Sequence, residues 1–168
     1  MALLLAEGIV DSVLAYLKEN QAAKLQALRV EYDDDVPLPD FEEFRIDDPQ
    51  EGGLVQALPR VHVLVPVEEI PMWTAATALS EHSLLLWAVW ANQDPETIRR
   101  EGYRYARALW EMLVAADAAG SLGGAVLGGD LTGAPPASMD FGATLTSDNQ
   151  LMADLRIGVR LTVSETTA

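Results

Sequence analysis

Two histidines and a run of three aspartates are the side chains with which this sequence could bind a metal ion. A zinc site needs three or four ligands, most often Cys and His, but the sequence has no Cys and only His62 and His82. These two histidines could be neighbours across a sheet, although strand histidines are more often structural. The aspartates at 33–35 lack the central Gly and terminal Glu of a calcium loop. The sequence therefore predicts no dedicated metal site and no cofactor.

The signatures of phosphate binding and serine hydrolysis are also missing. The run GSLGGAVLGG at 120–129 is rich in glycine, but no Lys-Ser or Lys-Thr pair follows it, and it comes after a predicted helix instead of a strand. There is no Gly-x-Ser-x-Gly elbow. We expect no catalytic residues, and hence a protein that is not an enzyme.

An arginine stripe is the clearest charge feature. Four of the 11 basic residues, Arg99, Arg100, Arg104 and Arg107, lie within nine positions of one predicted helix. Such a stripe is either a solvated helix face with interspersed acids or a docking strip for an acidic surface. We predict the second as a candidate subunit interface, in which the stripe lies exposed and docks onto the acidic segment at 31–51 of a neighbouring copy.

Two of the four tryptophans, Trp87 and Trp90, lie three residues apart in a predicted strand. Residues at that spacing point to opposite faces of a sheet. Both could pack in the core, or they could belong to a subunit interface, where Trp is enriched. Both alternatives stay open, and the two tryptophans join the candidate interface.

Composition and charge narrow the class of protein. The 168 residues carry 26 acids and 11 bases, a net charge of −15, and 49% of them are apolar. This length fits one domain, 1–168, that buries its own core. The negative charge disfavours nucleic-acid binding, which needs clustered Lys and Arg. The charge is also uneven, because ten of the 26 acids lie between 31 and 51.

Periodicity and capping residues predict the elements that position these side chains. Apolar residues at helical spacing predict a helix over about 3–18, whereas 21–32 suits either more helix or a strand. Three prolines and ten acids predict a solvated loop at about 31–53, with a short extended piece at 41–46. Strands are predicted at 60–67 and 83–91, the second apolar on both sides, as in a central strand.

The second half continues with a helix over about 95–118, capped by Asp94 and stopped by Gly120. A mobile glycine-rich loop follows at about 119–138, then strands at 139–146 and 152–163. The order α-β-β-α-β-β predicts an α+β fold, with one mainly antiparallel four-stranded sheet packed against two main helices.

This layout resembles the tail terminator (tail completion or neck) proteins of long-tailed bacteriophages. The resemblance is carried by an amphipathic N-terminal helix, an acidic loop, a strand that starts as Pro-x-Val-x-Val at 59–63, the sequence WAVW at 87–90, the Asp94 cap of a long helix, a glycine-rich stretch and a closing strand with Glu165 near its end. It spans most of the chain and is one of element order and size.

The resemblance implies an α+β virion subunit that forms a ring, typically a homo-hexamer, at the head-proximal end of the tail. The ring would contact itself, the tail tube protein and the head connector or head completion protein, after assembly in the host cytoplasm. Genomic DNA would pass through its lumen without specific binding, and no membrane would be involved. We predict that the acidic segment lines this lumen or a docking surface, through Asp33, Asp34, Asp35, Asp40, Glu42, Glu43, Asp47 and Asp48.

Two other functions compete with this interpretation. A metal-dependent hydrolase would use the carboxylates at 31–51 as ligands and would bind Mg²⁺, Mn²⁺ or Ca²⁺ tightly. An acidic adaptor or DNA mimic would instead bind a basic, nucleic-acid-binding partner.

Overall fold

A computed structural model describes residues 2–47, 58–65, 68–73, 77–128, 137–145 and 151–166. The elements are α1 (Ala2–Tyr32), β1 (Glu43–Arg45), β2 (Arg60–Leu64), β3 (Glu68–Trp73), β4 (Thr77–Asn92), α2 (Pro95–Ala118), β5 (Ala125–Leu127), β6 (Ala137–Leu145) and β7 (Leu151–Thr166). The predicted α+β class is confirmed. None of the helices in these ranges is long and apolar enough to cross a membrane.

The sheet has more strands than predicted. The described ranges contain one seven-stranded sheet with the order β1-β2-β4-β7-β5, in which β3 also pairs with β4 and β6 with β7. β1 runs parallel to β2, and every other pairing is antiparallel. The prediction of four strands is therefore wrong: β5 has only three residues and shows no periodic pattern, and β3, with the sequence EEIPMW, contains two acids and a proline.

Two long central strands hold the sheet together. β4 and β7 each have 16 residues and pair along their full length, from Thr77↔Thr166 to Asn92↔Leu151. β2 and β6 flank this pair at the end near Asn92 and Leu151, whereas β3 and β5 flank it at the end near Thr77 and Thr166. The prediction of a central strand at 83–91 is confirmed, since β4 has neighbours on both edges.

The alternation predicted for the last strand is confirmed. Leu155, Ile157, Val159, Leu161 and Val163 of β7 are all buried in the core beneath the helices. Arg156 and Arg160 project from the other face, where Arg156 is half-buried and Arg160 is exposed.

α1 is much longer than the predicted helix. The sequence QAAKLQALRVEY at 21–32 is helical, because strong helix formers continue the pattern and place Leu25 and Leu28 in the core. The helix ends where Asp33 adopts a left-handed backbone (φ 44°) and its N–H donates to the carbonyl oxygen of Arg29. The prediction of an end near 18–20 is wrong by about three turns.

α2 has the predicted bounds and caps. The Asp94 carboxylate accepts a hydrogen bond from the Thr97 backbone N–H at 2.7 Å, and Pro95 occupies the first turn. At the other end Gly120 has a φ of 67°, a conformation that glycine tolerates best.

Two predicted loops lie only partly within the described residues. The extended piece predicted at 41–46 is confirmed as β1, while 48–53 lies outside the described residues. In the glycine-rich stretch the structure places β5, and 129–136 lies outside the described residues.

Candidate functional site

A seam of ion pairs joins the C-terminal half of α1, the acidic segment (residues 33–47) and α2. The two helices run antiparallel, so Glu31 near the end of α1 lies beside Arg107, and Lys24 lies beside Glu111 further along. The segment then returns across α2 after the turn at Asp33. The seam therefore combines charges that are far apart in sequence.

Arg104 is the centre of this seam. Its guanidinium binds both carboxylate oxygens of Asp34, at 2.8 and 2.5 Å, and lies 4.1 Å from the ring centroid of Tyr32. Arg104 is only 5% exposed. The hydrogen bond from Arg104 lowers the pKa of Asp34, so the pair stays ionised near neutral pH.

Arg107 forms the outer part of the seam. It donates to both carboxylate oxygens of Glu31, at 2.8 and 3.0 Å, and its Nε donates to Glu111 at 2.8 Å. Hydrogen bonds to these two carboxylates raise the pKa of Arg107. Hydrogen bonds from Lys24 and then Arg107 lower the pKa of Glu111.

Backbone contacts fix the acidic segment against both helices. The Gln21 side chain donates to the carbonyl oxygen of Phe41 (3.0 Å) and accepts from its N–H (2.8 Å), as a neighbouring strand would. The Arg29 guanidinium donates to the Leu38 carbonyl oxygen, and the Tyr105 hydroxyl donates to that of Pro39. Leu38 and Phe41 are buried in the core. The segment thus exposes acids while two of its apolar residues anchor it.

The predicted arginine stripe is not uniformly exposed. Arg99 and Arg100 are exposed, but Arg104 is buried, so its predicted exposure is wrong. Helical spacing alone predicted a solvent face, whereas the acidic segment of the same chain covers this part of it. Arg104 and Arg107 bind acids of their own chain, and the interface role of the stripe stays a prediction.

The eight predicted acidic residues occupy three kinds of position. Asp34, Asp40 and Asp47 form ion pairs with Arg104, Arg29 and Arg45 of the same chain. Half-buried Glu43 also forms an ion pair with Arg45, at 3.7 Å, whereas Asp33, Asp35 and Glu42 are exposed. Asp48 lies outside the described residues.

A polar cluster lies on the sheet face opposite the helices. His62 is fully buried; its Nδ1 lies 2.7 Å from the Asp47 carbonyl oxygen, and its Nε2 accepts from Arg60 Nε at 3.0 Å. Arg45 binds both oxygens of the Asp47 carboxylate. Burial lowers the pKa of His62, so the ring is neutral at pH 7 with its proton on Nδ1. The cluster holds β1 against β2.

Trp87 and Trp90 point to opposite faces of β4, as predicted. Trp90 is part of the core and donates from Nε1 to the Ile98 carbonyl oxygen at 3.2 Å. Trp87 lies on the other face, where it donates to Asp154 at 3.1 Å and stacks under Arg156 at 4.0 Å. Both are buried within one chain, and their interface role stays a prediction.

The two histidines are not cross-strand neighbours. His62 of β2 pairs with Trp87 of β4, whereas His82 lies in β4 itself and pairs with Glu68 of β3. Trp87 and His82 are five positions apart along β4, a separation of about 17 Å. Within the described residues no group of three or more His, Asp and Glu side chains could hold a metal ion.

One buried acid, on α2, was not among the predicted site residues. Glu101 of α2 is 3% exposed; its Oε1 accepts from Asn92 Nδ2 at 3.2 Å, and its Oε2 has no hydrogen-bond partner. Burial raises its pKa to about 7. Its spacing from Ile98 and Tyr105, both on the buried helix face, was the signal that could have identified it.

The charges within the described residues are mostly paired with each other. Buried Arg60 and His62 are hydrogen-bonded on one face of the sheet, and buried Glu101 and Arg104 lie on α2, which covers the other face. A cavity of about 550 Å³ beside β1 is lined by charged side chains of both signs, Lys18, Glu42, Glu43 and Arg45.

Comparisons with known proteins add a partial structural match. The chain matches no protein-family model and no curated protein sequence. Among solved structures, it is similar to a chain of the "Virion of native gene transfer agent (GTA) particle", with 20% identity and a TM-score of 0.31. The match covers 71% of this chain and 78% of that chain. A likeness at that TM-score assigns neither a family nor a function to this chain.

Proposed function

We propose that this chain is a structural protein of a bacteriophage virion, a tail terminator that forms a ring of six copies. The ring caps the head-proximal end of the tail tube, stops its polymerisation and joins it to the head connector. The order of elements that resembles tail terminators supports this: α1, the acidic segment, β2, β4, the Asp94-capped α2 and the closing strand β7 follow one another as in that family.

The observation that carries the proposal is a pair of unpaired sheet edges. β1 and β6 form the two opposite edges of the sheet where β2 pairs with β4, and in the described part of the chain neither pairs with a further strand. The two edges differ in length, direction and surroundings. When two different lateral surfaces bind each other head to tail, the repeated contact produces a ring if the rotation closes.

The charge distribution supports passage of DNA without binding. Lys24, Arg29, Arg45, Arg104 and Arg107 each form an ion pair within the chain. Basic side chains held in this way offer little to phosphates. Together with the net charge of −15, they leave a surface that repels a duplex.

Solution mass and electron microscopy test the proposal. We expect the purified protein to form closed rings with a central channel and a mass of about 109 kDa, six times the 18.2 kDa subunit. Added tail tubes should carry such a ring at one end only. A chain that stays monomeric at all concentrations and leaves tube ends bare would refute the proposed function.

Two further measurements separate the competing functions. Calorimetry with Mg²⁺, Mn²⁺ and Ca²⁺ should show no stoichiometric binding; tight binding of one ion would instead favour the hydrolase. Recovery of a nucleic-acid-binding protein in a pull-down would favour the DNA mimic. Neighbouring genes for a major tail protein and a head connector would support the terminator.

A further inference from the structure

Glu101 is a buried acid whose carboxyl group is only partly hydrogen-bonded. Its Oε1 accepts a hydrogen bond from Asn92 Nδ2 at 3.2 Å, while its Oε2 is buried without a hydrogen-bond partner among the described residues. The whole residue is 3% exposed. A buried polar atom without a partner costs free energy, and it costs more when it carries a charge. This position therefore holds an uncharged carboxyl group more easily than a carboxylate.

The two side chains of α2 that hold the acidic segment come one turn after Glu101. Arg104 donates to both carboxylate oxygens of Asp34, at 2.8 and 2.5 Å. The Tyr105 hydroxyl donates to the Pro39 carbonyl oxygen at 2.9 Å. Residues three and four apart are neighbours on one helix face, and all three of these α2 residues are buried. Glu101 therefore lies beside both contacts.

The charges around Glu101 come from α2 and from the segment that crosses it. Burial raises the pKa of Glu101 to about 7, and the hydrogen bond from Asn92 and the charge of Arg104 oppose this only in part. Burial and then the charge of Glu101 raise the pKa of Tyr105, so its hydroxyl remains a donor. From β4, the uncharged amide of Asn92 faces Glu101. The other charged groups at these contacts are Asp34 and Asp40 of the acidic segment and Arg29 of α1.

An ionised Glu101 competes with Asp34 for one guanidinium. While Glu101 is protonated, Arg104 neutralises Asp34 alone. Once the proton is lost, a buried negative charge lies one turn from Arg104 and attracts it, which weakens both hydrogen bonds to Asp34. Moving the segment away also opens this face of α2 to water, which solvates the new charge. Both effects favour a segment that is less tightly held.

We propose that Glu101 is a proton-dependent latch for the first part of the acidic segment, residues 33–37. In the held state Glu101 is protonated and Arg104 binds Asp34; loss of the proton favours a released state in which this contact is broken. Leu38 and Phe41 are buried in the core and keep the rest of the segment in place. Release adds Asp34 to the exposed acids and uncovers Arg104, so the surface offered to a partner changes with pH.

The size of the change follows from proton linkage. Glu101 binds its proton more tightly in the held state than in a released state in which it regains its ordinary pKa of 4.5. The released fraction must then rise with pH. Full recovery of the ordinary pKa would raise the ratio of released to held segment about 30-fold between pH 5.5 and 8. We expect about tenfold, because the released acid keeps part of its burial against Asn92.

A spin label on the segment tests the latch. The chain has no cysteine, so Asp35→Cys places a single nitroxide label on an exposed residue. Electron paramagnetic resonance spectra separate a slow component, the held segment, from a fast one, the released segment. Their ratio should shift about tenfold toward the fast component between pH 5.5 and 8.

Three variants in the labelled chain identify the titrating group. Glu101→Gln is uncharged at every pH, so its segment should stay held at both pH values. Glu19→Gln, which removes an exposed acid of α1, is the matched control and should respond to pH as the parent chain does. Asp34→Asn removes the ion pair itself, so its segment should be released at both pH values. Unchanged circular dichroism will show that each variant folds.

The outcomes separate the latch from the proposed ring. A ratio of the two components that stays constant or falls from pH 5.5 to 8 overturns the latch. An equal rise in Glu101→Gln also overturns it, because another group then titrates. Every measurement concerns contacts within one subunit, so these results leave the ring unaffected, and a chain that forms no ring leaves the latch standing.

Discussion

Glu101 should make the stability of this protein fall as the pH rises from about 5 to 7. Its carboxyl group is buried at the start of α2, and one oxygen has no hydrogen-bond partner. Burial raises its pKa from 4.5 to about 7 in the folded chain. Below pH 4.5 the group is protonated in both the folded and unfolded chains, so it then adds no charge penalty.

The size of the effect follows from the difference between the two pKa values. Between pH 4.5 and 7 the unfolded chain releases the proton while the folded chain keeps it, so the free energy of unfolding decreases. Above pH 7 the cost is constant. A difference of about 2.5 pKa units corresponds to about 3 kcal/mol at 1.36 kcal/mol per unit.

Glu101→Gln tests this reasoning because it removes the charge and keeps the shape. The variant and the wild type should be compared by urea unfolding at pH 4.5, 6 and 8, at a concentration where both are monomeric. We expect the variant to gain about 3 kcal/mol relative to the wild type between pH 4.5 and 8. Glu19→Gln, on the exposed side of α1, controls for the loss of one negative charge. A difference between Glu101→Gln and wild type that is the same at all three pH values would refute the argument.

Three other predictions concern the packing and charges around the seam and the sheet. Gly102→Ala should destabilise the chain by about 1–3 kcal/mol, although alanine has a higher helix propensity than glycine. The new methyl group would lie 2.7 Å from the Phe141 ring and 2.9 Å from the Trp90 ring. Urea unfolding measures the change, and a variant as stable as the wild type would contradict the prediction. Arg104→Ala should lower the free energy of unfolding by about 1–3 kcal/mol, because it removes an ion pair with two hydrogen bonds. Arg100→Ala removes an exposed ion pair and should lower the free energy of unfolding by less than about 0.5 kcal/mol. Similar decreases for the two variants in thermal or urea unfolding would show that burial of Arg104 adds nothing. His62 should titrate below its ordinary pKa of 6.5, because burial disfavours its charged form. The stability that the neutral ring contributes is then complete above pH 6.5 and is lost as the pH falls through the lowered pKa of the folded chain. An NMR titration midpoint at or above 6.5 would contradict this prediction.

Local signals explain why α2 was predicted well and α1 was not. Asp94, Pro95 and Gly120 mark the two ends of α2 by capping chemistry that depends only on neighbouring residues. α1 has no such stop before Asp33, and its second half also alternates like a strand over 28–32. Tertiary contacts of Leu25 and Leu28 with the core decide in favour of the helix.

The candidate site was likewise predictable from the sequence only in part. The clusters of arginines and acids were visible in sequence, but their pairing was assigned to different copies. Arg104 and Asp34 are 70 residues apart, and no periodic pattern reports a contact at that separation. The antiparallel packing of α1 and α2 makes the contact possible within one chain.

The sequence by itself determined the α+β class, the bounds of α2, the two faces of β7 and the strongly acidic, cysteine-free character of the chain. Each depends on periodicity, capping or composition, which are local properties. Only the tertiary structure decided that the acidic segment covers Arg104 of its own chain and that Glu101 is buried. These depend on strand order and helix packing, which bring together residues that are far apart in the chain.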